Sequence, residues 1–298
     1  MESAIRTPDT SSVIVGVDGS EPARRAALWA AAEAARRGRP LHLVHGADTE
    51  GRALYLSAET IEKVRTEGRE VLEDTAKAVA AEFPGLQMTT EFSRAGAVTS
   101  LHRAAALYGT IVVGNRGLGG FNSLMLGSVG IGTVAGAKTP VIVVRGLDDG
   151  EERGTVLAAV RDADDIVCAR YAAREAELRK ASLRLLHVWN MLQSVGSVVT
   201  RLDSIDGIAG EHADALKAVT DTICDEFPEL EVHADAEKSV SVAGVLVEAS
   251  RQADLLVMGG RRAPGSLGFG PNLGKATHSV LHHAHCPVLL IPRADPAR

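Results

Sequence analysis

The stretch "TIVVGNRGLGGFNSLMLGS", residues 110–128, decides the fold that we expect for this chain. It begins with a β-branched run, continues through a loop that contains five glycines, and ends where Gly127 and Ser128 open a helical pattern. Glycines let a backbone approach a ligand closely, and the unpaired N–H groups of a helix N-terminus favour an anion such as phosphate. Such a turn is also typical of a tight strand-to-helix connection, so the residues alone leave both interpretations open. The stretch matches neither the GxGxxG nor the GxxxxGK[ST] nucleotide motif.

The segments around this stretch alternate short apolar runs with helical patterns. In the first half, the expected strands are "VIVGV" at 13–17, "PLHLVH" at 40–45, "LQMTTEF" at 86–92, "TIVVG" at 110–114 and "VIVVR" at 141–145. The expected helices cover residues 21–38, 57–83, 97–108 and 124–137. Because short β-branched strands are separated by helices, we expect a mainly parallel sheet with right-handed crossovers. In such sheets ligands bind at the carboxyl ends of the strands, where the strand order reverses.

The whole pattern occurs twice along the chain. Landmarks recur in the same order at a shift of roughly 145 residues. The matching pairs are "LHLVHG" at 41–46 with "LRLLHVW" at 183–189, "AAEFPGLQM" at 80–88 with "CDEFPELEV" at 224–232, "GTIVVGNRG" at 109–117 with "ADLLVMGGR" at 253–261, and "AKTPVIVVR" at 137–145 with "AHCPVLLIP" at 284–292. An acidic linker, "GLDDGEERG", separates the copies. We therefore expect two tandem doubly wound α/β domains, residues 1–147 and 153–298.

Composition excludes several classes of protein. With 32 basic and 38 acidic residues among 298, the chain has a net charge of −6, which disfavours binding to nucleic acid or to an anionic membrane. No apolar stretch approaches the ~18 residues of a membrane span, and the N-terminus lacks a signal-peptide pattern, so a cytoplasmic protein is expected. The cysteines, Cys168, Cys224 and Cys286, are too widely spaced for a zinc site and are expected to be buried. No metal site is predicted.

Further motifs resemble the universal stress protein family of the ATP-binding type. The glycines at 114, 117 and 127 and the serine at 128 fit that family's G-x2-G-x9-G-[ST] pattern, and "IVGVDGS" at 14–20 is similar to its first strand and aspartate. The resemblance covers about residues 12–146 and 154–293. It implies two five-stranded sheets of strand order 3-2-1-4-5, the adenine nucleotide alpha hydrolase-like fold. It also implies that the second half acts as an intramolecular pseudo-dimer partner by pairing of the last strands, with a homodimer of the whole chain left open.

The resemblance implies an ATP site in the first half, with Mg near the phosphates. Asp18 would lie near ribose or the metal, and the end of the second strand would contact adenine. The implied cofactor-binding residues are Gly16, Val17, Asp18, Val44, Gly114, Asn115, Arg116, Gly117, Leu118, Gly119, Gly120, Gly127, Ser128 and Val129. No catalytic residue is predicted, because the loop offers no lysine clamp and no base beyond Asp18.

The second half departs from the family's pattern at the matching positions. Arg161 stands where Asp18 does, Arg262 replaces the second glycine, and Lys275 replaces the serine. Two interpretations are open: loss of ATP binding, or an anion site built from the side-chain charges of these residues. The predicted function is an ATP-binding, nucleotide-dependent regulator of stress adaptation with a regulatory protein partner still to be identified. A nucleotide-free interaction scaffold and a slow ATPase timer are the alternatives.

Overall fold

Runs of buried aliphatic residues form the strands and alanine-rich or amphipathic segments form the helices, as the patterns predicted. The protein is described as a computed structural model that covers residues 12–52, 55–106, 109–117, 126–146, 151–190, 205–260 and 273–292. It divides into two units, Met1–Val144 and Arg145–Arg298. Each unit is built around one parallel sheet.

The first unit has five parallel strands in the order β3-β2-β1-β4-β5. The strands are β1 (Ser12–Gly16), β2 (Leu41–Gly46), β3 (Met88–Ser93), β4 (Gly109–Gly114) and β5 (Val141–Val144). The helices are α1 (Glu21–Arg37), α2 (Ala58–Glu82), α3 (Ala97–Ala104) and α4 (Ser128–Gly136). In β1 and β4 the core residues, such as Ile14 and Ile111, are fully buried, as expected for strands covered on both faces.

Helix α1 shows how the local sequence sets the ends of an element. Ser20 caps its N-terminus by accepting a hydrogen bond from the Ala23 N–H group, and Pro22 stands in the first turn. Gly38 ends the helix in the left-handed region, with φ of 60°. The alanine face between these ends is buried and packs on β1 and β4.

Helix α4 is shorter than the sequence pattern predicted. The expected helix over 124–137 begins only at Ser128, because Gly127 is extended, with ψ of 159°. Leu126, just before it, is buried with 4% of its surface exposed, so its apolar character serves packing outside the helix. Residues 124 and 125 lie outside the described residues.

The second unit repeats the same order, β8-β7-β6-β9-β10. Its strands are β6 (Thr155–Ala159), β7 (Ser182–Trp189), β8 (Val232–Lys238), β9 (Leu255–Gly260) and β10 (Val288–Pro292). Its helices are α5 (Ile166–Arg179), α6 (Ile205–Glu226), α7 (Val242–Ala249) and α8 (Lys275–His283), with 3₁₀ turns at Ala163–Asp165 and Ser250–Gln252. Counted within each unit, both sheets have the strand order 3-2-1-4-5. This confirms the expected fold class.

Two further observations concern expectations from composition. Within the described ranges, no helix combines the length and the apolar character needed to cross a membrane. Cys168 and Cys286 are buried as expected, but the expectation for Cys224 was wrong, since its side chain is exposed. Cys224 follows the fully buried Ile223 on α6, and neighbouring residues of a helix point in different directions.

Candidate functional site

The candidate site lies at the carboxyl edge of the first sheet, where the strand order reverses. The chain runs from β1 outward to β2 and β3 on one side, and β4 and β5 lie on the other side of β1. Gly16 at the end of β1 is in register with Val44 of β2, and Gly114 at the end of β4 is in register with Val144 of β5. The strand order reverses next to β1, which is the position at which doubly wound sheets bind ligands.

Hydrogen bonds to β2 fix the residue that follows β1. The Val17 N–H group donates to the Val44 carbonyl at 3.0 Å, and His45 Nδ1 lies 2.9 Å from the Val17 carbonyl oxygen. Since a carbonyl only accepts, Nδ1 of His45 carries the hydrogen. The His45 ring also stacks on Phe92, with ring centroids 5.9 Å apart. Both the N–H group and the carbonyl group of Val17 are therefore hydrogen-bonded to β2.

Sequence reasoning missed His45, although the signal was present. The matching segments "LHLVHG" and "LRLLHVW" place a histidine at equivalent positions, His45 and His187. A polar residue repeated at a strand end indicates a shared structural role. The side chain of Val44 is 1% exposed and its carbonyl already accepts from Val17, so Val44 fixes the strand ends.

Asp18 is oriented by the cap of α1. Its Oδ1 accepts hydrogen bonds from the Ser20 N–H group at 3.0 Å and from Ser20 Oγ at 2.6 Å. Ser20 Oγ in turn accepts from the Ala23 N–H group at 3.3 Å. This chain of hydrogen bonds ties the Asp18 carboxylate to the start of α1, whose N-terminus favours negative charge.

Glycines at the end of β4 allow the next loop to reach this carboxylate. A Cβ atom on Gly114 would lie 2.7 Å from the carbonyl oxygen of Pro22, so only glycine lets β4 end against the first turn of α1. A Cβ atom on Gly117 would lie 2.3 Å from Asp18 Oδ2. The loop backbone and the Asp18 carboxylate are thus in close contact, across 99 residues of sequence.

The N-terminus of α4 completes the edge. Gly127 is its N-cap and no side chain caps it. The Gly127 N–H group donates to the Asn115 carbonyl at 3.0 Å, which joins the helix start to the loop. The following residues, Ser128 and Val129, are exposed in the first turn, where N–H groups have no partner within the helix. This end of α4 therefore offers backbone donors to an anion.

Arg116 supplies positive charge at the same place. Its Cα lies 3.6 Å from the position of a Cβ on Gly127, so the Arg116 backbone packs against the start of α4. Its Nε atom is buried, and no other described residue accepts a hydrogen bond from it. A buried guanidinium nitrogen without an acceptor carries a desolvation cost that an anion would relieve.

The structure thus brings most of the predicted site residues to one edge of the sheet. These are Gly16, Val17, Asp18, Val44, Gly114, Asn115, Arg116, Gly117, Gly127, Ser128 and Val129. The predicted contributions of Leu118, Gly119 and Gly120 fall outside the described residues.

The matching edge of the second unit has different chemistry. Arg161 Nε donates to Asp162 Oδ2 at 2.6 Å, and the Arg161 N–H group donates to Asp165 Oδ2 at 2.9 Å. Partial burial lowers the pKa of Arg161, but the hydrogen bond and charge of Asp162 outweigh it and leave the pKa raised. Asp164 adds a third carboxylate to the turn. Arg161 is therefore engaged within its own turn, and Arg262 lies outside the described part of the chain.

The strand order defines a doubly wound α/β protein, and the candidate site lies at the strand reversal, where proteins of this class bind ligands. The model of the Universal stress protein family matches residues 10–145 and 152–292. The chain therefore belongs to the universal stress protein family, in a tandem arrangement, and this membership supports a stress-related role.

Relatives of similar length share this arrangement. A universal stress protein of Mycolicibacterium smegmatis is 29% identical over 289 residues, covering 94% of this chain and 96% of its own length. One of Mycobacterium tuberculosis is 27% identical over 297 residues, covering 96% of this chain and 98% of its own. The crystal structure of a universal stress protein from Archaeoglobus fulgidus has a TM-score of 0.71 at 20% identity, covering 96% of this chain and 97% of that one. At that identity the structural match supports the fold alone.

Proposed function

We propose that the first unit binds ATP with Mg at the carboxyl edge of its sheet, and that nucleotide occupancy regulates a role in stress adaptation. The observation that carries the proposal is the start of α4, where an N-terminus without a side-chain cap adjoins Arg116 and its buried Nε atom. Backbone N–H groups of a helix start and a guanidinium are the donors that phosphate groups prefer.

The residues present fit a magnesium nucleotide. The start of α4 and Arg116 would hold the phosphates, and Asp18 would supply a carboxylate to the metal. Mg²⁺ is commonly held by one or two carboxylates together with the phosphates of its nucleotide. Among the described residues, no three His, Cys, Asp or Glu side chains form a cluster that could hold a metal by themselves. A metal that arrives with the nucleotide agrees with this.

The same residues favour regulation over turnover. The start of α4 is joined by Asn115, Arg116 and Gly117, and Gly117 in turn faces Asp18. These described residues include one cation and no lysine. Phosphoryl transfer relies on a clamp of several positive groups and on a residue that orients the attacking group. We therefore infer a binding protein, for which slow hydrolysis would at most limit how long the nucleotide stays bound.

We infer that the second unit binds ATP weakly or not at all. Three carboxylates, Asp162, Asp164 and Asp165, lie in the turn after β6, where the first unit has Asp18. They would repel the phosphates, and the Arg161 guanidinium already donates to Asp162 while its backbone N–H group donates to Asp165. Anion binding by the side-chain charges of this turn is accordingly disfavoured.

The test measures nucleotide in freshly purified protein and ATP binding by stripped protein. Release by denaturation and chromatography should give about one ATP per chain, and calorimetry should give one site. Gly127→Glu should abolish binding, since it puts a carboxylate at the start of α4. Gly127→Ala should retain most of it, because a Cβ there would have its nearest neighbour at 3.6 Å, an ordinary contact.

Gly274→Glu is the matched control, because Gly274 caps α8 as Gly127 caps α4. It should leave the stoichiometry unchanged. Unchanged binding in Gly127→Glu would reject the site. Two ATP molecules per chain would reject the inference about the second unit, and no ATP in either assay with folded protein would favour a nucleotide-free scaffold.

A further inference from the structure

Two histidines and a tryptophan pack together near the end of β7 in the second unit. His187 Nδ1 lies 2.8 Å from the Val160 carbonyl oxygen, and His187 Nε2 lies 2.9 Å from Nδ1 of His212 on α6. The His212 ring stacks on Trp189, with centroids 4.7 Å apart and planes 19° from parallel. His187 is 2% exposed and Trp189 is 7% exposed. The pair thus joins α6 to β7 and also to the residue that follows β6.

The hydrogen positions in this pair follow from its partners. Because the Val160 carbonyl can only accept, His187 Nδ1 carries a hydrogen. In the uncharged pair, His187 Nε2 is therefore an acceptor and His212 Nδ1 donates to it. One added proton is compatible with the contact, since either ring can be the cation while the other accepts the shared hydrogen bond. A second proton would put N–H groups on both facing nitrogens and break the contact.

Charged groups around the pair act in both directions. Burial lowers the pKa of His212, the neighbouring His187 lowers it further, and Glu211 raises it. On β8, Lys238 Nζ lies 5.8 Å from the centroid of the Trp189 ring and adds positive charge to the cluster. The 3₁₀ turn Ala163–Asp165 packs on α6 and carries two carboxylates, but Asp165 is engaged by the Arg161 N–H group.

We propose that His187 and His212 form a proton-operated latch, which holds α6 against the end of β7 at neutral pH and opens on mild acidification. Unfolded or opened chain accepts a proton on each imidazole below about pH 6.5, whereas the closed pair accepts at most one. Opening is then favoured by up to about tenfold per pH unit for each proton that the closed pair excludes.

The direction of the pH effect follows from the lowered pKa of His212. A group whose pKa is lower in the closed state stabilises that state above its ordinary value, about 6.5 for imidazole. The stabilisation is lost as the pH falls below that value through the lowered pKa. The latch should therefore be closed above about pH 7 and should open as the pH falls below about 6.5.

The first unit offers a natural comparison. His45 makes the same hydrogen bond to a strand-end carbonyl, that of Val17, but it stacks on Phe92 where His187 contacts His212. A single imidazole beside a phenyl ring lacks the facing nitrogen that excludes the second proton. The shared hydrogen bond is thus structural, and the proton dependence belongs to the second histidine, His212.

The test uses the full chain with Trp29→Phe, which leaves Trp189 as the remaining one of the two tryptophans. Its emission and its quenching by acrylamide are followed from about pH 8 to about pH 5. Both should change in one sigmoidal step with a midpoint below about pH 6.5, with acrylamide quenching rising as the ring becomes accessible. A flat profile over this range would overturn the proposal.

Variants assign the step to the pair. His212→Gln keeps a hydrogen-bonding amide but cannot titrate, so the step should disappear; its persistence would overturn the proposal. His45→Gln, the matched control in the first unit, should retain it, and loss of the step there would argue against the latch. If His212→Gln fails to fold, ¹⁵N spectra of the unaltered chain at about pH 8 test the proposal through the tautomers of the two imidazoles. The proposal requires a hydrogen on Nδ1 of both rings, and a hydrogen on His187 Nε2 would refute it.

Discussion

Gly117→Ala should disturb the candidate site by displacing the Asp18 carboxylate. The new Cβ would lie 2.3 Å from Asp18 Oδ2, well inside van der Waals contact, so the carboxylate must move. Movement weakens the hydrogen bonds of Oδ1 to the N–H group and hydroxyl of Ser20, at 3.0 and 2.6 Å. Buried hydrogen bonds to charged groups contribute about 1.5–3 kcal/mol, and because Asp18 is half-buried we expect a loss of about 1–2 kcal/mol.

The assay is thermal unfolding of the first unit within the full chain. Trp29 on α1 reports on this unit when Trp189 is replaced by Phe. For a unit of roughly 150 residues, 1 kcal/mol shifts Tm by about 2–4 °C, so Gly117→Ala should lower Tm by about 2–8 °C. The affinity for ATP should fall as well, because the repositioned carboxylate no longer lies where the metal would be held.

A double-mutant cycle tests the cause of this loss. In the Asp18→Ala background the clashing atom is absent, so Gly117→Ala should cost less than about 0.5 kcal/mol further. The double variant should therefore be about as stable as Asp18→Ala alone. An undiminished cost of Gly117→Ala in that background would refute the contact between the loop and Asp18, and with it the geometry assigned to the site.

Three further predictions follow from contacts elsewhere in the chain. Gly114→Ala places a Cβ 2.7 Å from a backbone carbonyl of α1 and should lower the free energy of unfolding by about 1–3 kcal/mol, measured by urea denaturation. Glu33→Gln removes the fully buried carboxylate that binds two arginines of α1 and should lower the free energy of unfolding by about 1–3 kcal/mol. Glu73→Gln, in an exposed ion pair, should lower it much less, and equal losses in the two variants would contradict this. Burial raises the pKa of Cys286 to about 12. At about pH 8 a thiol reagent should therefore modify the exposed Cys224 in native protein and leave the buried Cys168 and Cys286 unmodified. Mass spectrometry of the digested protein measures which cysteines have reacted.

The strands and most helix ends were predictable because their causes are local. The β-branched run of β4 and the Ser20, Pro22 and Gly38 signals of α1 act within a few residues of themselves. The predicted start of α4 was wrong, because residues 124–126 continue the apolar pattern of the helix in the sequence. The helix nevertheless begins only at Ser128, since Gly127 has an extended backbone. The pattern of apolar and polar residues does not show whether a helix begins before or after a glycine.

The contacts of the candidate site were harder to predict, because they join distant parts of the chain. The family resemblance named Asp18 and Gly117, but their contact depends on how β1 and β4 lie side by side. The hydrogen bond from His45 to Val17 likewise depends on the register of β1 and β2. Sequence shows the residue types at such a site, and the sheet order decides which of them meet.

The hydrogen bonds that fix the strand ends have the same form in both units. In the second unit, the Val160 N–H group donates to the Leu186 carbonyl at 3.0 Å, and the Val160 carbonyl accepts from His187 Nδ1. In the first unit, the Val17 N–H group donates to the Val44 carbonyl at 3.0 Å, and the Val17 carbonyl accepts from His45 Nδ1. The second unit has thus kept its scaffold while its turn changed from "DGS" to "RDADD". The second unit is therefore a suitable scaffold for protein engineering. The turn that follows β1 could be grafted after β6, where the strand ends already hold the backbone in the same arrangement.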